Sequence, residues 1–176
     1  MMCGPAALKK KIKHFISFAI PYFFAASSLQ ACGDAGTPVT LTAYNHSHTH
    51  DIDYFSLNGS GGVDVRQGSV SGERCCVVIP NVWRPGLKAT VTWRYVPVDG
   101  EAIESTAVIT QEVELPKYPH PDSIRVHFFE NNKVKIVVSK CSPKHPFYPL
   151  SAEERLPWKP MSSKEEYRNS GGPIDC

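Results

Sequence analysis

This sequence predicts an all-β domain, a small antiparallel β-sandwich, Ig-like in character, followed by a Pro-rich irregular C-terminal tail. From residue 38 onward, apolar and polar residues alternate with period two in several short segments rich in β-branched and aromatic residues. Clusters of Gly, Pro and Asn separate those segments at short intervals. No long amphipathic helical pattern interrupts them, and such spacing is the signature of a sandwich or small barrel.

A leader precedes the domain. Lys9, Lys10, Lys11 and Lys13 form a positive stretch, Phe15 to Ala26 an apolar one interrupted by Pro21, and Leu29-Gln30-Ala31-Cys32 closes it with small residues near a cleavage point. That order is a secretory signal, so residues 1–31 are expected to be removed. The apolar run is shorter than the roughly 20 residues a spanning helix needs. Its last four residues resemble the lipobox of bacterial lipoproteins, which implies that Cys32 is acylated and becomes the new N-terminus. Several acyl chains on one residue would hold the chain on a membrane. Gly33 after the Cys favours the outer over the inner membrane, with the domain on the periplasmic side. Residues 32–37 then form the lipid-anchored tether.

The sandwich is expected over residues 38–142. Val39 to Tyr44 alternates cleanly, and Ile52 to Leu57 is a second strand ended by Asn58-Gly-Ser-Gly-Gly62, a strong turn signal. Arg74 to Ile79 is stopped by Pro80, and Arg84-Pro-Gly-Leu87 is another turn. Lys88 to Val96 is the clearest strand, with Ala89, Val91, Trp93 and Tyr95 on one face. Thr106 to Leu115 alternates less cleanly. Ile124 to Phe129 and Val134 to Ser139 flank a hairpin turn at Glu130-Asn-Asn-Lys133. Over residues 143–176 the prolines 143, 146, 149, 157, 160 and 173 break regular structure. This tail is expected to pack on the domain, with a short helical turn within Ser162 to Arg168.

Charge narrows the functions. The formal net charge is +2, from 19 Lys+Arg against 17 Asp+Glu. Four of those cations and none of the acids lie in the leader, which leaves 15 against 17, about −2. A near-neutral mature domain has no electrostatic footprint for nucleic acid and no polybasic patch for membranes.

Setting aside Cys3 and Cys32, the cysteines are Cys75, Cys76, Cys141 and Cys176. In an exported protein these read as two disulfides. Successive strand residues point to opposite faces, which disfavours a Cys75–Cys76 bond. Each is then expected to pair with one of Cys141 and Cys176, in either of two connectivities.

The candidate chemistry lies in His46-Ser-His-Thr-His-Asp-Ile-Asp53. If the segment is extended, His46, His48 and His50 share a face at about 6–7 Å intervals, and with Asp51 could ligate zinc or copper. Asn58-Gly-Ser60-Gly-Gly lacks the first glycine of a nucleophile elbow. No strand–glycine loop–helix unit is present to hold phosphates. No enzyme activity, cofactor or small-molecule substrate is expected. Trp83 and Trp93 read as core. Tyr148, Trp158 and Tyr167, on the tail, are the candidates for contact with a protein partner.

Ala43-Tyr-Asn-His46, Ile52 to Gly62, Cys75-Cys76-Val, Pro80-Asn-Val-Trp-Arg-Pro-Gly86, Val91-Thr-Trp93 and His145-Pro-Phe-Tyr-Pro149 together resemble a family of short proteobacterial lipoproteins classed as a domain of unknown function. The resemblance covers roughly residues 40–150. His48 and His50 are outside its pattern. Some members are similar to lipoproteins found beside type VI secretion genes for antibacterial lipase effectors. The resemblance therefore implies an immunity protein, exported and anchored, that binds and neutralises a toxin. The alternatives are a structural or envelope-maintenance lipoprotein, or a metal-binding one acting through His46, His48 and His50.

Overall fold

The computed structural model describes residues 36–96 and 107–172. The leader, Cys32 and Cys176 lie outside the described residues. Among the described residues, eight strands form two four-stranded sheets: β1 (Thr37–Asn45), β2 (Ile52–Leu57), β3 (Ser60–Gly61), β4 (Arg74–Ile79), β5 (Lys88–Tyr95), β6 (Ile109–Glu114), β7 (Ile124–Phe128) and β8 (Val134–Val138). One sheet has the order β4-β1-β7-β8 and the other β3-β2-β5-β6, so the chain is an all-β sandwich.

Period-two burial builds the core. Leu41 and Ala43 of β1, Val77 and Ile79 of β4, Ile124, Val126 and Phe128 of β7, and Val134 and Ile136 of β8 face inward from the first sheet. Ile52, Phe55, Leu57, Ala89, Val91 and Trp93 meet them from the second. The layers touch where Phe128 lies edge-on to Phe55 at 5.8 Å and tilted to Trp93 at 5.5 Å. In β2 a register shift between Ile52 and Tyr54 breaks the alternation and turns both Ile52 and Phe55 inward.

The β2–β3 hairpin turns on two residues, Asn58 at φ +50 and Gly59 at φ +81. Both positive values fit a type I′ turn, whose twist matches that of the flanking strands. The Asn58 side chain accepts a hydrogen bond from the Thr90 N–H at 2.8 Å, tying the turn to β5.

Two features differ from expectation. β1 pairs with β7 in parallel, while the other paired strands run antiparallel. Cys75 and Cys76 are bonded to each other, which corrects the expectation that each reaches Cys141 or Cys176. That expectation assumed the opposite-facing side chains of a regular strand. Here the intervening peptide is cis and the two Cα atoms lie only 3.0 Å apart. Cys141 is also disulfide-bonded.

Candidate functional site

The tail forms a third layer on the outer face of the first sheet, and the site is built where it lands. Val137 projects from that face and meets Cys141, Tyr148 and Leu150 in a small second apolar cluster. Arg155, in a 3-10 turn over Glu153–Arg155, is buried and donates to the carbonyls of His145 (2.6 Å) and Pro143 (3.4 Å), which closes the tail on itself. Ser163 caps helix α1 (Lys164–Asn169), accepting from the Glu166 N–H.

Beneath the tail runs a chain of hydrogen bonds. His46 Nδ1 lies 2.6 Å from the Leu156 carbonyl, His46 Nε2 lies 2.8 Å from His127 Nδ1, and His127 Nε2 lies 2.6 Å from the Tyr148 hydroxyl. A carbonyl can only accept, so the His46 proton sits on Nδ1. His46 Nε2 is then an acceptor, His127 donates through Nδ1, and the Tyr148 O–H donates to His127 Nε2. Every member is satisfied with both imidazoles neutral, and all donors point the same way along the chain. Burial holds His127 well below its ordinary pKa, and the nearby cations of Arg125 and Lys135 act in the same direction. Burial also lowers His46, against the pull of the Leu156 carbonyl. Burial pushes the Tyr148 hydroxyl up. Aromatic rings enclose the chain: Tyr44 stacks on His127 at 4.9 Å, Phe129 on His46 at 4.4 Å, and Trp158 sets an edge against Tyr44 and His46.

The loop after β1 is fixed independently. Asn45, fully buried, donates to the carbonyls of His50 and Val65 and accepts from the Ser47 N–H. Glu130 accepts from the His48 N–H at 2.7 Å and from the hydroxyls of Ser47 and Thr49 at 3.0 Å. The His48 N–H is the main reason its carboxyl lies below the usual range.

That loop does not bring together the metal ligands expected at His46, His48, His50 and Asp51. The chain leaves the extended conformation at His46 and bends at His48 and Thr49, so the three imidazoles do not share a face. His46 turns inward, His48 is exposed, His50 bonds Thr49 at 2.7 Å beside the Tyr95 ring, and Asp51 accepts from the Gln67 N–H. Among the described residues no group of three His, Cys, Asp or Glu side chains is placed to hold a metal ion.

The expected partner contacts also divide. Tyr148 and Tyr167 are 3% and 4% exposed, so neither is presented to a partner. Their hydroxyls face His127 and Ser142. Trp158 is half-buried against Tyr44 and His46. Sequence reasoning missed His127, Asn45 and Glu130. A polar His127 alternating with inward Val126 and Phe128 reads as solvent-facing, and only the tail above it makes that face interior. The usable signal was Val137, an apolar residue on the same nominally outward side.

A family model described as "Protein of unknown function (DUF3304)" matches residues 44–136. No curated protein and no solved structure matches the chain.

Proposed function

The chain belongs to the DUF3304 family of proteins of unknown function, and from that premise we propose a lipid-anchored periplasmic binding protein that neutralises an antibacterial lipase effector of type VI secretion. It acts by binding, with no catalytic group and no cofactor. The observation that carries this reading is the use to which the reactive side chains are put. His46 and His127 are buried and bonded to one another, to a carbonyl and to Tyr148. Cys75, Cys76 and Cys141 are oxidised, as suits a compartment where disulfides persist. A body with its tail locked in place loses little conformational freedom when a partner docks. The leader and Leu29-Gln30-Ala31-Cys32 supply export and anchorage, which an inhibitor of a membrane-attacking toxin needs.

The test is competition between kin. Cells deleted for this gene are expected to lose viability beside siblings armed with the secretion system and its lipase, and to regain it with the full chain. The mature domain is expected to capture the lipase from those cells. Deleted cells that survive as well as their parents would overturn the proposal.

A further inference from the structure

We infer that the end of the sandwich where the tether enters β1 docks on the surface of the bilayer holding the anchor, with Val78 and Val82 seated among the headgroups. This docking rests on the acylation of Cys32 proposed above. Val78 and Val82 are each 61% exposed. A single exposed valine is ordinary, and what distinguishes these two is their position.

The last residues of β4 lie beside the first of β1, with Ile79 opposite Thr37 and Val78 opposite Pro38. Val77 and Ile79 face the core, so Val78 stands on the outer face. Gly36 passes so close that a Cβ there would come within 2.5 Å of Val78 Cγ1. The Thr37 hydroxyl donates to the Asn81 side chain at 2.5 Å, which sets Val82 next to the same entry point. The following turn is firm: the Leu87 N–H bonds the Arg84 carbonyl, Gly86 takes φ +82, and the Trp83 indole donates to the Leu115 carbonyl at 2.9 Å.

Length then restricts what this end can face. Only four residues separate Cys32 from Thr37, five Cα-to-Cα steps with a contour of at most about 17 Å. An acylated Cys32 sits at the interface between acyl chains and headgroups, so β1 starts within that distance of it. Lys117 and Lys140 are exposed on the same end. Lys117 adjoins Tyr118, whose hydroxyl donates to the Pro80 carbonyl, and Lys140 follows β8. Their charges suit lipid phosphates. Glu114 and Asp122 share this end, so the valines supply the larger part of the contact. At the opposite end, beyond Asn45, Asp51, Asp64 and Glu130 would face away from the membrane.

Photocrosslinking in cells tests the docking on the full chain. A p-benzoylphenylalanine is placed at Val82 in one strain and at His48, on the opposite end, in another, and Cys32 acylation is read by metabolic palmitate label. Position 82 is expected to give about tenfold more lipid adduct than position 48. Val78→Asp is expected to reduce that yield several-fold with the palmitate label unchanged. A labelled chain whose position 82 yields no lipid adduct, or crosslinks instead to a second copy, overturns the docking and leaves the anchor standing. A chain without label at Cys32 overturns both.

Discussion

His46 Nε2 lies 2.8 Å from His127 Nδ1, and through this bond the exit of β1 is joined to β7 and to the tail. The pair is a lock with one orientation. The Leu156 carbonyl sets the His46 tautomer, His46 sets that of His127, and Tyr148 supplies the final proton. A sandwich whose outer sheet face is covered in this way has a fixed third layer.

Removing the donor at the far end of the lock should be costly. Tyr148→Phe keeps the ring among Val137, Cys141 and Leu150 but leaves His127 Nε2 buried with no donor. An unsatisfied buried acceptor costs about 1–3 kcal/mol. Urea denaturation of the mature, oxidised domain should show that loss, with little change in the slope against denaturant. A loss below roughly 0.5 kcal/mol would mean the hydroxyl contributes no net stability.

The same lock predicts sensitivity to mild acid. Both imidazoles have folded pKa values below their ordinary 6.5, because burial disfavours the charged ring. The unfolded chain therefore binds more protons than the folded one as pH drops below about 6.5. Stability should be full above that pH and decline beneath it, by up to about 1.4 kcal/mol per pH unit for each imidazole. Glu130 and Glu154 are shifted down, so their contribution is lost only below their ordinary 4.5 and leaves the higher window to the histidines. Urea midpoints at pH 7.5 and 5.5 separate the cases. His127→Gln should reduce the difference, and a wild-type midpoint that does not move would refute the assignment.

What could be read in the sequence follows from what faces what. β5 was legible because Ala89, Val91 and Trp93 alternate against a single core while Thr90, Thr92 and Arg94 on the other face are only half-buried. The Asn58-Gly59 turn was legible because its backbone demands positive φ at both residues. β7 was legible as a strand but not as a site. Its alternation identifies Val126 and Phe128 as core, and only a tertiary contact from residues 148–158 makes His127 interior. Local alternation also carries no information about pairing direction, so the parallel β1–β7 ladder was hidden. The histidine spacing misled because it presumes an extended chain, whereas Asn45 and Glu130 gather residues 46–50 into a bend.

The hairpin turn offers a clean test of local chemistry. Asn58→Ala loses the acceptor for the Thr90 N–H and places an alanine at φ +50. Asparagine tolerates that region because of its short polar side chain, while alanine does not. The two effects together should cost about 1–3 kcal/mol. Asn58→Gly removes the acceptor but relieves the backbone, so it should be the milder of the pair in thermal denaturation. Equal losses would show that the side-chain bond alone matters.

Trp93 separates volume from polarity in the core. Its side chain is fully buried, opposite Phe55 in the ladder and against Phe128 at 5.5 Å. Its indole N–H is buried with no hydrogen-bond partner among the described residues, so the fold already bears the desolvation of that donor. Trp93→Ala removes the ring and leaves a cavity between the sheets, at a cost of about 3–5 kcal/mol. Trp93→Phe removes the unpartnered N–H along with part of the ring. The donor penalty it relieves offsets much of the packing it loses, so its cost should stay below about 1.5 kcal/mol. Chemical denaturation of both variants gives the comparison directly. If Trp93→Phe proves as damaging as Trp93→Ala, shape complementarity against Phe128 outweighs the buried donor, and the indole is held for its outline rather than tolerated despite its nitrogen.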